Sequence, residues 1–394
     1  VLLPTKTERD FIIMLSPQLD AIRRLVTDTL TEGRALGMQL ERHSEHYGAT
    51  AEYSLAPQLN RLGLAEVFNP TPLELDNGDV LHTLTVEQRC VLYEALAYVD
   101  PNLIFACPTP GMAGFVLQAM GNAEQQERFF GRFRDQLSWS CYAMSEPGVG
   151  SDAGNIATTA TKVDGGYLIN GEKYFIGNGF HADIGVVFAR TSPGPIGMDV
   201  FLVEPAQLKG LTRTRLHSHG VPGSAISHLS FNNVFVDDRA LLGAHLKPTQ
   251  RFSGAAIATF DSLRPCVGGL ALGTTRALVE HAEQQGTIAR VEHRRWLHKA
   301  QRELAGALEG LLVVARKFDQ GQSVTQAVGL AKAKAVQTAE SVCDALLHRL
   351  EPGALASDPL LAKLYRDLKS FEYAEGTRHI HWLNAHTQFR EATQ

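Results

Sequence analysis

The hydrophobic pattern changes its period twice along the chain, and this limits the fold more than any single residue does. Apolar residues recur three and four apart through "QLDAIRRLVTDTLTEGRALGMQLERHS" and "TVEQRCVLYEALAYVD", the period of helices with one buried face. Thr85 stands where a helix cap belongs, with Glu87 just inside the first turn. "AEQQERFFGRFRD" is a shorter segment of the same kind. Near Ser140 the pattern gives way to short apolar runs bounded by turn residues: "ADIGVVFART", "MDVFLVEP" and "SHLSFNNVFVDD". "YLINGEKYFIGNG" sets two β-rich runs around Asn170-Gly171, a strong hairpin cue. After Leu246 the helical period returns in "SLRPCVGGLALGTTRALVEHAEQQ", "AQRELAGALEGLLVVARKFDQ" and "AVGLAKAKAVQTAESVCDALLHRL", which predict antiparallel helices in a bundle. "EPGALASDP" interrupts them, and a last helix over "LLAKLYRDLKSFEYA" is expected to end at Gly376. The 394 residues exceed what one core usually serves. The chain therefore reads as α+β in three parts: a helical part over 1–140, a compact β barrel or sandwich over 141–245, and a helical bundle over 246–394.

A net charge of -5 provides no basic field for nucleic acid. The five cysteines, Cys90, Cys107, Cys141, Cys266 and Cys343, are odd in number and widely spread. They predict neither a disulfide framework nor a metal site, and a reducing cytoplasm suits them. No apolar run is long enough to cross a bilayer. The opening "VLLPTKTERD" has no charged segment ahead of an apolar one, so it does not read as a signal peptide. It starts without Met, as after processing or trimming.

Four short stretches carry possible chemistry. In "SEPGVGSD", Gly148 and Gly150 let the backbone turn tightly and present N–H groups, while Ser145 and Ser151 add hydroxyls. An ordinary turn between strands explains the same residues. In "KYFIGNG", Phe175 is either strand core or a face offered to a flat ligand. In "FDSLRP", Asp261 and Arg264 have the spacing of an acid and a base at a helix start. In "YAEGT", Glu375 is either a solvated residue of a last turn or a base aimed into a pocket.

Taken in order, "CYAMSEPGVGSD", "NGEKYFIGNG", "FDSLRP" and "YRDLKSFEYAEGT" make the chain resemble the acyl-CoA dehydrogenase family, from about "GNAEQQERFF" onward. The resemblance implies an N-terminal helical domain, a middle β domain and a C-terminal four-helix bundle. It also implies FAD between the β domain and the bundle. Tyr142, Met144, Ser145 and Gly150 would then line the flavin, and Ser151 would sit between the flavin side and a thioester ligand. Phe175 and Ile176 would pack on the flavin. Gly177 stands where the family usually has a Thr that hydrogen-bonds near the reactive flavin nitrogen. Asp261, Arg264 and Gly376 would meet the ligand, and Thr377 would reach the FAD. Glu375 would be the general base that takes the α-proton of an acyl thioester, carried by CoA or by acyl carrier protein. The β-hydride would go to the flavin and leave a trans-2-enoyl product. Electrons would pass to an external acceptor such as an electron-transferring flavoprotein.

The chain departs from the family's pattern in two places. "GTIARVEHRRWLHKAQ" lacks the usual Phe-Gly, and "LLHRLEPGALASDP" lacks the usual Gly-Gly. In the family both segments reach a partner's FAD. Arg290, Arg294, Arg295, His298, Lys299 and Arg302 either form a solvated basic face or hold a phosphate by another route. The departures suit a specialised member in fatty acid or polyketide metabolism, one acting on a carrier-protein thioester or one subunit of an unequal pair; the expected assembly is a homo-oligomer, dimer or tetramer, or a hetero-oligomer. A flavin monooxygenase or oxidase on the same fold, and a non-catalytic subunit completing a partner's site, are the rival readings.

Overall fold

The computed structural model describes residues 15–150, 153–194, 197–288 and 293–392. Its N-terminal part contains α1 (Pro17–Thr27), α2 (Leu30–Arg42), α3 (Ala56–Leu62), α4 (Val86–Val99), α5 (Leu103–Ala106), α6 (Gly111–Met120) and α7 (Ala123–Asp135), with a small hairpin of β1 (Leu73–Glu74) and β2 (Val80–Leu81). The first periodic run is broken at Asp28 and Thr29 into α1 and α2. α4 begins as expected at Thr85, whose hydroxyl accepts from the Gln88 N–H while the Gln88 side chain accepts from the Thr85 N–H.

The middle part is one curled seven-stranded sheet of β3 (Ser140–Ala143), β4 (Thr159–Val163), β5 (Gly166–Ile176), β6 (Ile184–Arg190), β7 (Met198–Val203), β8 (Leu211–Arg215) and β9 (Ser227–Asp237). Its order is β3-β6-β4-β5-β9-β8, with β7 paired to β6. Alternation along β6 and β7 serves two cores. Ile184, Val186, Phe188, Met198, Val200 and Leu202 pack with α6 and α7. Val187, Ala189, Phe201 and Val203 face the sheet's own interior.

Asn170-Gly171 is not a hairpin turn. β5 runs straight through it, with a bulge against β9. Gly171 takes φ 140, and a Cβ there would lie 2.7 Å from the Thr158 Cα. Asn170 exchanges hydrogen bonds with Asn233 on β9 instead of closing a turn. The hairpin closes earlier, at Asp164-Gly165, where Val163 pairs with Gly166 and Gly165 takes φ 71.

The C-terminal part holds α8 (Pro248–Gln284), α9 (His293–Asp319), α10 (Thr325–Leu347), α11 (Ala354–Ser357), α12 (Pro359–Ser370) and α13 (Arg378–Ala392). α8, α9, α10 and α12 pack as a bundle, and α4 lies along α8 within the same core. α8 is continuous through Pro265, so Asp261 and Arg264 sit inside a helix, not at its start. The last helix is also different from expectation: α12 ends at Ser370, and α13 follows the turn. "RHIHWLNAHTQF" has no apolar stripe to announce α13, and its Trp382 and Leu383 are exposed. No described helix is long and apolar enough to cross a membrane.

One buried network joins the three parts. Lys363 on α12 donates to Asp100 (2.6 Å) and to Asp367 (2.7 Å), and all three side chains are shielded from water. The Val221 N–H donates to Asp367 (2.6 Å), and the Gly223 N–H donates to Asn102 (2.7 Å). Replacing Lys363 by Met strands two carboxylates in the interior. The expected result is a loss of about 3–5 kcal/mol of unfolding free energy, read from urea denaturation; a loss near zero would show the network is not a structural tie.

Candidate active site

β3 delivers Tyr142 to the sheet edge and leads directly into "SEPGVG". That segment is fixed from behind. Glu146 and Val149 exchange both backbone hydrogen bonds at 3.0 Å. The Glu146 carboxylate accepts from the Ala157 (2.5 Å) and Thr158 (3.0 Å) N–H groups and from Lys173 (2.8 Å). Lys173, wholly buried in β5, also donates to the Met144 carbonyl at 2.9 Å. Burial pulls its ammonium down to about 8, opposed by Glu146. Cβ atoms added at Gly148 or Gly150 would meet nothing within 4 Å. So the segment is rigid on one side and open on the other. Met144 is buried, Ser145 is half-buried, and Ser151 lies outside the described residues.

Two residues after Lys173 the strand turns outward. Phe175 takes φ 59 and leaves its ring 67% exposed, while Ile176 is buried. A left-handed aromatic residue facing outward is an uncommon and costly arrangement. Tyr174 supports it edge-on at 4.7 Å between centroids. Ile176 can therefore offer a ligand only its backbone. A Cβ at Gly177 would find only the Ser224 carbonyl, at 3.7 Å.

Glu375 sits in the turn between α12 and α13. It takes φ 56 and Gly376 takes φ 98, so the turn is left-handed twice. Three carbonyls of this turn are held by cations from the bundle. Arg264 on α8 donates to the Glu375 carbonyl at 3.3 Å. Lys332 on α10 donates to the carbonyls of Glu372 (3.1 Å) and Gly376 (2.7 Å). Glu375 as a whole is half-buried, but its Oε2 is enclosed and has no hydrogen-bond partner. Burial pushes the carboxyl up to about 7, against the pull of Arg264 and Lys332.

The fold brings Tyr142 into this neighbourhood. Burial, and secondarily the Glu375 charge, raise its phenol well above the usual range. Its ring lies 6.2 Å from that of Phe260, and Arg264 stands 5.3 Å above Phe260. Asp261 is buried and already engaged, accepting from Arg264 (3.3 Å) and from the Thr325 hydroxyl (2.5 Å). It orients Arg264. Thr377 accepts from the Ile380 N–H at 3.4 Å and so opens α13. Arg294, Arg295, His298, Lys299 and Arg302 are exposed on the first turns of α9; Arg290 lies outside the described residues.

Sequence reasoning missed Lys173, Lys332 and His381. Lys332 stands on an apolar face, four residues after Val328 and four before Val336, and is wholly buried. A lysine on such a stripe was the available signal. His381 is also buried, and a Cβ at Gly376 would touch its ring at 3.1 Å. Burial holds its imidazole down at about 4, hence neutral.

Comparison with known proteins places the domains that carry these residues in a known family. Residues 141–234 match the family described as acyl-CoA dehydrogenase, middle domain, and residues 253–388 match acyl-CoA dehydrogenase, C-terminal domain. The chain is 29% identical to benzylmalonyl-CoA dehydrogenase of Aromatoleum aromaticum, over 75% of this chain and 80% of that one. It is 27% identical to the mitochondrial short-chain specific acyl-CoA dehydrogenase of Mus musculus, over 88% and 83%. The solved butyryl-CoA dehydrogenase of Megasphaera elsdenii shares the fold with a TM-score of 0.77 at 24% identity, covering 94% of this chain and 97% of that one.

The raised Glu375 pKa has a consequence for stability. The folded chain holds this proton more tightly than the unfolded chain, whose carboxyl has the ordinary value of 4.5. Stability therefore falls as pH rises from the ordinary carboxyl range toward about 7, and the loss is complete above it. Glu375→Gln carries no such penalty. Urea unfolding at about pH 8 should find the variant more stable than the native chain by about 1–3 kcal/mol, with the gap closing near pH 4. A gap that does not change with pH would mean the carboxylate is solvated.

Proposed function

The chain belongs to the acyl-CoA dehydrogenase family, and from that premise we propose that it oxidises an acyl-CoA thioester at its α and β carbons. The enclosed Glu375 carboxylate carries the proposal. Removing a proton from a carbon α to a thioester carbonyl needs a base whose pKa is near the working pH and that is not hydrated. Glu375 meets both needs. The α-proton passes to its carboxylate, and the β-hydrogen leaves with its electron pair. The Glu375 N–H makes no hydrogen bond among the described residues, so it is free to donate to the thioester oxygen as charge develops there. Arg264 and Lys332 offset that charge from behind the turn.

The residues present fit a flavin. Phe175 offers an exposed ring, Gly177 leaves room beside it, and the Gly148–Gly150 backbone is open on one side. FAD bound there supplies the hydride acceptor. In this reading Tyr142, Met144, Ser145, Gly150, Phe175, Ile176, Gly177 and Thr377 hold it, while Asp261, Arg264 and Gly376 border the thioester. The relatives compared above are named for CoA thioesters and lend no support to an acyl-carrier-protein substrate. The exposed Tyr373, Trp382 and Leu383 beside the site suit burial in a dimer or larger assembly. An electron-transferring flavoprotein is the proposed acceptor. All five cysteines are free, as a reducing cytoplasm would keep them. A monooxygenase or non-catalytic role gives no reason to enclose Glu375.

The purified protein should absorb as an oxidised flavin and be bleached by a saturated acyl-CoA. Glu375→Gln should keep the flavin and slow bleaching by at least about a hundredfold. Bleaching at the native rate in that variant would remove Glu375 from the mechanism.

A further inference from the structure

Lys332 is wholly buried, yet among the described residues its hydrogen bonds go to main-chain carbonyls and not to a carboxylate. Burying an ammonium without a paired anion is unfavourable, so its place calls for an explanation. Its two acceptors, the carbonyls of Glu372 and Gly376, bracket Glu375. A continuing helix would have satisfied them with its own N–H groups. Here one side chain from α10 does so instead, and the backbone between them is left-handed at Glu375 and Gly376. We propose that Lys332 is a positioning residue, whose ammonium fastens the turn bearing Glu375 and sets the charge state of that carboxylate from behind.

The charged groups around Lys332 come from the turn, α8 and α13. Glu372 and Glu375 face it from the turn, Arg264 from α8, and Arg378 from α13. The His381 imidazole of α13 lies in the same cluster. Glu372 is already engaged by the Arg378 side chain (3.0 Å) and N–H (2.9 Å). Glu372 exerts the stronger pull on Lys332 but has Arg378 as its own cation, whereas Glu375, with its unpartnered Oε2, feels Lys332 and Arg264 only through space. The field acts in a dry place, where screening is weak. Arg264 pulls in the same direction but holds a different carbonyl, so neither cation replaces the other.

This inference rests on the assignment of Glu375 as the base, and its test separates the two. In isotope-edited infrared titration, the Glu375 carboxyl is identified as the band lost in Glu375→Gln. The native band should titrate near the value set by its burial, about 7. In Lys332→Met it should titrate higher, by about one pH unit or more, because a nearby cation is gone. Lys332→Arg should bring it back toward the native position. In the same variants the acidic limb of kcat for acyl-CoA oxidation should move with the band, and kcat should fall more than KM changes. If Lys332→Met does not fold, Lys332→Gln keeps an N–H donor without the charge and should shift the band upward likewise. A folded variant whose band stays at the native pH overturns the positioning role, whatever its activity. A shifted band in a protein that oxidises no thioester supports the role of Lys332 and sinks the proposed reaction instead.

Discussion

The shielded contact of Lys363 with Asp100 and Asp367 fixes where everything near the C-terminus can lie. One cation between two carboxylates leaves a surplus negative charge in a place that water does not reach. That surplus is tolerable only because N–H groups from elsewhere finish the coordination. Val221 donates to Asp367, Gly223 donates to Asn102, and the Asn102 N–H and amide both donate to Asp100. Burial and the Asp100 charge raise the Asp367 pKa, while its two carboxylate neighbours hold Lys363 charged against the cost of burial. Hydrophobic contact alone would let α12 slide along α8 with little penalty, since apolar packing has no direction. Paired charges do not slide. The turn that carries Glu375 begins a few residues beyond Asp367, so its position is inherited from this contact.

The electrostatics of that turn depend on where the cations do not go. If the guanidinium of Arg264 met the Glu375 carboxylate directly, the acid would be locked as an ion pair and its pKa would fall. Arg264 and Lys332 instead hold carbonyls, and the carboxylate feels them only through space. Burial, the larger effect, then sets the direction, and the two charges limit how far it goes. Asp261 helps by occupying the front of Arg264, with Thr325 holding Asp261 in turn.

Much of this was legible in the sequence, and the misses have definite causes. The change of period from helix to strand and back marks the architecture because each face that is buried must be written in apolar residues. The Thr85 cap was readable because capping is local. Asn170-Gly171 misled because the same pair suits a turn and a bulge; only the hydrogen bonds exchanged between Asn170 and Asn233, 63 residues away, decide between them. Asp261 and Arg264 looked like a helix start because an acid followed one turn later by Arg is common there, yet α8 passes through. α13 escaped because a helix with exposed Trp382 and Leu383 has no apolar stripe to read. Lys332 was hidden for another reason. Its partners are backbone carbonyls, which exist at every position and leave no mark in the residue types.

Lys173 and Lys332 are the same device used twice. Each is a wholly buried lysine whose ammonium is pulled down to about 8 by burial. Each fastens main-chain carbonyls: Lys173 that of Met144 on the "SEPGVG" side, Lys332 those of Glu372 and Gly376 on the other. Beside each stands a non-glycine residue with left-handed φ, Phe175 at 59 and Glu375 at 56. Such a conformation costs about 1–3 kcal/mol and persists only where the surroundings leave no alternative. It also aims a side chain away from the direction that ordinary strand or helix geometry would give it. A cleft needs two walls whose working side chains do not sink into their own cores. Fastening the backbone from behind with a buried cation, and accepting strain at a nearby residue, would yield such a wall on each side of the proposed site.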